Sequence, residues 1–307
     1  MTTTSEARIE VSTLCNYKCT FCPYSTDFNR KKEIMSNELF DTVLNEIIKI
    51  KNINVITLSG MGEILIDKDI IYKIKKAKDL GYRVNILTNG SLLTKDIVDK
   101  FISIKLDSIR LSLHTIDSEE CKSITGANKD IYEHVLEIVE YIIENKSSMQ
   151  FIISCDIIDI NKNGVQLIID KYEKRVDLLE IWKPHNWSSW KEYRKGSQKK
   201  KTCGRPFNGP LQVQVDGTMN MCCFDYNGEL TIGDLKAQTI DEIFNAQEYK
   251  YIKVRHETGN MEGLYCNGCD QLYKADPGIV IYNSKFNSNE RIRRTSTAYE
   301  NMDMDRT

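Results

Sequence analysis

From about residue 8 to residue 182 the chain alternates two hydrophobic patterns. Short runs rich in β-branched residues at 8–13, 54–59, 83–88, 108–113, 150–156 and 177–181 read as strands. Between them, apolar residues recur at helical spacing over 37–50, 69–80, 95–102, 130–145 and 164–172. Ser36 is placed to cap the first of these helices, and Gly81 to close the second. Six strand–helix units in series predict an α/β fold with a parallel sheet and right-handed crossovers. Six units are too few for a closed eight-stranded barrel. Functional groups in such sheets gather at the C-terminal ends of the strands.

The pattern then changes. Residues 188–202 carry Lys191, Arg194, Lys195, Lys199, Lys200 and Lys201 and read as an exposed basic linker, although such a loop could also grip a phosphate. Residues 211–215 and 218–222, joined by Asp216-Gly217, predict a β-hairpin. A helix is expected over 239–255, and the polar stretch from about 283 onward reads as a tail, mobile or folded back. The expected organisation is a first domain over 1–187, the linker 188–202, a second domain over 203–275 and a tail over 276–307.

Composition adds little except through cysteine. The 307 residues carry a net charge of −2, which speaks against nucleic acid or another bulk polyanion as partner. The N-terminus has no apolar stretch of the secretory kind, and no run is long enough to span a membrane, so a cytoplasmic location is expected. Ten cysteines there point to metal ligation in place of disulfides.

Three of them, Cys15, Cys19 and Cys22, fall within eight residues, directly after the first expected strand. A cubane cluster normally takes four thiolates, so a triplet can hold three irons and leave the fourth open to a ligand. A zinc ribbon would instead need paired Cys-x-x-Cys knuckles or nearby histidines. The run Cys15-x-x-x-Cys19-x-x-Cys22, with Phe21 before its last cysteine, resembles the signature of the radical S-adenosylmethionine (radical SAM) enzymes. Leu58-Ser59-Gly60-Met61-Gly62-Glu63 and Leu87-Thr88-Asn89-Gly90 extend the resemblance. It implies a partial (β/α)6 TIM barrel, one [4Fe–4S] cluster on the triplet, and S-adenosylmethionine chelated to the open iron. Glu63, with Gly60 and Gly62, matches the family's Gly-Gly-Glu-Pro element that holds the cofactor's amine, although Ile64 stands where proline is usual. By the same resemblance Phe21 lies near adenine, while Asn89, Ser112 and Ser154 are cofactor contacts at strand ends. Core packing for Phe21 and backbone capping for Ser112 are the simpler alternatives.

Cys203, Cys222, Cys266 and Cys269 form a second set, spread around the hairpin, Gly233-Asp234-Leu235 and the late helix. Together they resemble the auxiliary-cluster domain of the SPASM and twitch subgroup, in its one-cluster form. The resemblance implies a second [4Fe–4S] cluster with four protein ligands; zinc on the same thiolates is the rival. Cys223 adjoins Cys222, and alternation along a strand would turn the two to opposite faces. Cys223 is then a core thiol or a hydrogen-atom donor. Cys121 and Cys155 read as structural thiols.

The resemblance further implies reductive cleavage of S-adenosylmethionine to a 5′-deoxyadenosyl radical, and hydrogen abstraction from a small sugar- or cyclitol-like substrate. A fully ligated second cluster would take up the substrate's electron, as in twitch-type aminocyclitol dehydrogenases. Oxidation needs a base titrating near neutrality, and His114 and His185 follow the fourth and sixth strands. Trp182, Trp187 and Trp190 could wall a sugar site or pack the core. Epimerisation would need a hydrogen donor, for which Cys223 is the candidate. A peptide-modifying maturase is the alternative. Such enzymes often begin with a peptide-recognition module, and fifteen residues before the cluster loop leave no room for one. An electron carrier without substrate is the remote alternative. The expected partners are a small-molecule substrate and an external electron donor such as flavodoxin or ferredoxin, with no nucleic acid and no membrane.

Overall fold

The computed structural model describes residues 4–187, 191–194, 196–275, 279–284 and 293–294. They form two compact units that interleave along the chain. The first is drawn from 1–15, 26–86 and 186–275, the second from 16–25, 87–185 and 276–307.

In the first unit, strand β1 (Glu6–Ile9) lies between two parallel neighbours. On one side is β2 (Val55–Leu58), with Ala7 opposite Ile56, followed by β3 (Arg83–Thr88). The helices that follow β1 and β2 are α1 (Asn37–Ile47) and α2 (Ile70–Asp79). Ser36 caps α1 by accepting from the Leu39 N–H, and Phe40, Val43, Leu44 and Ile47 form its buried stripe. Gly81 turns the chain after α2 at φ 87°. The first strand starts earlier and ends earlier than its β-branched run suggests. Beyond Ile9 the chain exchanges bonds with other partners: Glu10 N–H donates to Val213 O, and Met35 N–H to Val11 O.

In the second unit, β4 (Ser108–Ser112), β5 (Gln150–Asp156) and β6 (Leu178–Trp182) run parallel, with Ser112 opposite Ser154. Helices α3 (Lys95–Ser103), α4 (Ser118–Thr125), α5 (Lys129–Asn145) and α6 (Val165–Tyr172) surround them in chain order. The sequence pattern does not reveal α4, because it buries only Ile124 and Thr125; its Asp117 cap and left-handed Gly126 define it instead.

The rest of the first unit is built from β7 (Gly196–Lys199), the short helix α7 (Arg205–Asn208), β8 (Leu211–Val213), β9 (Thr218–Asn220), β10 (Thr231–Asp234), α8 (Ile240–Asn245), α9 (Gln247–Thr258) and β11 (Tyr273–Ala275). β8 and β9 form the expected hairpin, but β8 also pairs in parallel with β1, so the hairpin continues that sheet. The expected helix over 239–255 is two, broken where Ala246 turns extended at ψ 156°. The linker reading does not hold for all its residues: β7 pairs with β11, and Arg194 is buried beside Asp270, 3.8 Å away. The tail begins with a strand, β12 (Ile279–Ser284), antiparallel to β6; Ile279-Val280-Ile281-Tyr282 carries the β-branched signal. The tail beyond 294 and Trp190 lie outside the described residues.

Candidate functional site

Cys15 closes a segment of the first unit, whereas Cys19 and Cys22 open the second, and all three thiols are partly exposed. Within the second unit the cysteine loop is fastened to α4: Lys18 N–H donates to Thr125 O at 2.8 Å and Thr20 N–H to Ile124 O at 2.9 Å. A tight turn brings Cys22 N–H to Cys19 O at 3.1 Å. Phe21 is buried and meets the His114 ring edge-on, with centroids 4.8 Å apart. Asn89 reaches the same loop, donating to Asn16 Oδ1 at 3.0 Å and accepting from Ser91 N–H.

The Gly-Glu run lies in the first unit and is held by its backbone. Glu63 is buried; its N–H donates to Leu14 O at 2.7 Å, and its carboxylate accepts from Leu65 N–H as the cap of a short 3-10 turn. Gly62 passes so close to the segment before Cys15 that a Cβ there would stand 2.4 Å from Ser12 O. A Cβ on Gly60 would strike the Glu10 side chain. Glu10, which the sequence reading passed over, anchors this turn. Its carboxylate accepts from Met61 N–H at 2.9 Å, from Val215 N–H at 3.1 Å and from both terminal nitrogens of Arg30 at 2.8 Å.

Asn89, Ser112 and His114 line one cavity of the second unit with Tyr17, Thr115, Cys121 and Tyr132. Ser154 lies beside Ser112 in the neighbouring strand. His114 is 8% exposed, and its Nδ1 accepts the Asp156 N–H at 3.0 Å. Burial lowers its pKa to about 4. At neutral pH the ring is therefore uncharged, with its Nδ1 lone pair engaged by backbone. Its burial predicts an acid sensitivity. The unfolded histidine takes up a proton below about 6.5 and the folded one only near 4, so stability should fall as pH drops through that window. The full contribution is about 3 kcal/mol, and His114→Phe should flatten the pH dependence of chemical denaturation between those limits. His185 is half-buried, with its ring centroid 6.3 Å from that of Trp182. Trp187, in the first unit, packs edge-on against Phe224 and Tyr226.

The second cysteine set is brought together. Cys203, Cys222, Cys266 and Cys269 line one cavity of the first unit, with Arg205, Met221, Phe224, Leu230, His256, Tyr265 and Leu272. Burial pushes the Cys266 and Cys269 thiols up to about 12. Such thiols become ligands when a metal displaces their protons. Among the described residues no three His, Cys, Asp or Glu side chains converge as they stand on a single-ion site. Four thiolates sharing one cavity are the ligand number that a fully ligated cubane takes.

Cys222 and Cys223 do not alternate across a strand as expected. β9 ends at Asn220, whose amide accepts from Cys222 N–H and donates to Asp225 O, and both cysteines sit in the turn that follows. Each thiol is the largest influence on the other, lowering the Cys223 pKa and raising that of Cys222, and the Arg205 charge favours a thiolate on Cys223. Arg205, absent from the sequence reading, is kept charged by the surrounding thiols in spite of burial, and its guanidinium lies 4.6 Å from the Phe224 ring centroid.

Comparison with known proteins agrees with both halves. Residues 9–159 match the radical SAM superfamily model, and residues 203–270 match the SPASM iron–sulfur cluster-binding domain. A probable GTP 3′,8-cyclase of Saccharolobus islandicus is 30% identical over 139 residues, 45% of this chain and 44% of that protein. The chain thus spans less than half the length of that curated relative. Among solved structures, BtrN in complex with AdoMet and 2-DOIA superposes with a TM-score of 0.61 at 16% identity, covering 89% of this chain and 93% of that one. The anSMEcpe structure with bound AdoMet and Kp18Cys peptide gives 0.62 at 15% identity, covering 89% and 92%. The fold is therefore the expected one, an α/β partial barrel followed by a hairpin-and-helix module.

Proposed function

From the premise that this chain belongs to the radical SAM superfamily and carries a SPASM-type domain, we propose that it oxidises or epimerises an alcohol-bearing carbon of a small, polar, sugar- or cyclitol-like substrate. The superfamily's cofactors, [4Fe–4S] clusters and S-adenosylmethionine, supply a 5′-deoxyadenosyl radical able to abstract hydrogen from an unactivated C–H.

In this reading Cys15, Cys19 and Cys22 hold the first cluster, and Cys203, Cys222, Cys266 and Cys269 the second. Glu63 takes the cofactor's amine from a turn set by Gly60, Gly62 and Glu10. Asn89, Ser112 and Ser154 supply polar contacts at strand ends, and Phe21 an apolar face. His185 takes the substrate's proton, because the Nδ1 of His114 is engaged by backbone. One observation carries the preference for oxidation: the four late cysteines share a single cavity. Four protein ligands leave no iron free for substrate, which suits that centre to electron uptake. The described residues contain no helix long and apolar enough to cross a membrane. We place the protein in the cytoplasm, where thiols stay reduced, with flavodoxin or ferredoxin as its external donor.

The test is turnover of the anaerobically reconstituted protein with candidate cyclitols and amino sugars in deuterated buffer. GTP and short peptides serve as comparators, chosen for the relatives named above. A product two mass units lighter supports dehydrogenation, and solvent deuterium at a retained stereocentre supports epimerisation. Turnover of GTP or peptide alone, or no 5′-deoxyadenosine above background, overturns the reading. Cys223→Ala separates the two favoured outcomes: a dehydrogenase keeps most of its rate, whereas an epimerase that uses this thiol loses product while still consuming S-adenosylmethionine.

A further inference from the structure

His256 lies on the buried face of α9, in register with Tyr249 and Ile252, and is 1% exposed. Its Nδ1 is 2.8 Å from Thr202 Oγ1. That oxygen also accepts the Gly204 N–H at 3.0 Å, and in the tautomer in which it donates its own hydrogen to Nδ1 the imidazole proton is on Nε2. Nε2 is buried and has no hydrogen-bond partner among the described residues. A buried donor of this kind carries a desolvation cost that something must offset. The cavity that His256 lines is the one shared by Cys203, Cys222, Cys266 and Cys269; its other walls include Met221, Leu230 and Leu272, and the polar Tyr265 and Gln271 on it do not reach Nε2. The cysteine sulfurs share that cavity with Nε2.

We propose that His256, oriented by Thr202, donates a hydrogen bond from Nε2 to a sulfur of the second cluster and thereby raises its reduction potential. The inference rests on the reading that the four cysteines hold a [4Fe–4S] centre. Its physical basis is that an N–H directed at sulfur stabilises the more negative, reduced state more than the oxidised one. The half-buried guanidinium of Arg205 acts in the same direction through its charge. His256 is thus a positioning and tuning residue for electron uptake. It touches no substrate.

The test uses the full-length protein with Cys15, Cys19 and Cys22 replaced by alanine, so that one cluster remains, reconstituted without oxygen and titrated electrochemically under EPR detection. About four irons per chain are expected in this parent and in each variant. In His256→Leu the reduced-to-oxidised ratio at the parent's midpoint should fall about tenfold, a shift of about 59 mV for a one-electron couple. His256→Gln, which keeps an N–H near the same place, should recover most of that shift, and Thr202→Val should show a smaller shift of the same sign. An unchanged midpoint in a fully loaded His256→Leu overturns the inference, as does loss of iron that glutamine fails to restore. A parent that binds no cubane overturns the four-cysteine reading and the inference with it.

Discussion

Gly62→Ala is expected to lower the rate of 5′-deoxyadenosine formation by about 100-fold, the loss that a misplacement near 1 Å can produce at a reacting centre. The added methyl would stand 2.4 Å from Ser12 O, 2.6 Å from Leu14 O and 2.8 Å from Leu14 N. All three atoms are backbone, so no side-chain rotation relieves the overlap. Either the turn carrying Glu63 moves out or the segment leading to Cys15 gives way. Gly81→Ala is the control. Gly81 sits at φ 87° with no atom within 4 Å of an added Cβ, so that substitution should cost about 1–2 kcal/mol of backbone strain and leave the rate unchanged. Product assays on both variants, with iron content measured in parallel, decide the matter. A Gly62→Ala protein cleaving S-adenosylmethionine at the parent rate would show that this close passage is irrelevant to the chemistry.

Glu10→Leu should destabilise the first unit by about 3–5 kcal/mol. The carboxylate and Arg30 are a buried ion pair, with side chains 7% and 13% exposed. Removing the anion strands the guanidinium, which keeps only the Tyr226 carbonyl on its Nε among these contacts. It also unties the Met61 and Val215 N–H groups. Glu10→Gln retains the size and one acceptor, so it should cost less, and Glu10→Leu combined with Arg30→Leu should recover part of the loss. Denaturant titration of the three proteins measures this. Equal midpoints for Glu10→Leu and the parent would exclude the carboxylate as an anchor. Because Met61 precedes Gly62 and Glu63 directly, the glutamine variant should also bind S-adenosylmethionine more weakly.

The strands and most helices were legible because each writes its period into a few consecutive residues. The Ser36 cap, the Gly81 stop and the run over 150–156 needed no partner to be read. The cysteine spacings were legible for the same reason. Other features depend on residues far apart in sequence. Glu10 looks like one polar position in a strand run until Arg30, Met61 and Val215 are brought to it. His256 occupies a helix-stripe position that an apolar residue would fill equally well, and only its contact with Thr202 sets it apart. The Cys222–Cys223 pair misled because alternation was extended past the end of the strand. Asp225 accepts the N–H groups of Gly228, Glu229 and Leu230 and so fixes the turn that follows. Arg205 falls within the Cys203-Gly204-Arg205-Pro206 run, and only the fold gives it its neighbours.

The parallel pairing of β1 with β8 sets a schedule for biosynthesis. Ala7, Arg8 and Ile9 leave the ribosome some two hundred positions ahead of their partners Leu211, Gln212 and Val213. At ordinary elongation speeds that interval is about 10–40 s, during which one flank of the nascent strand stays bare. A chain cut after β6 would keep that flank bare permanently and should associate edge to edge. The late hairpin therefore covers a strand flank that stays bare until it is made.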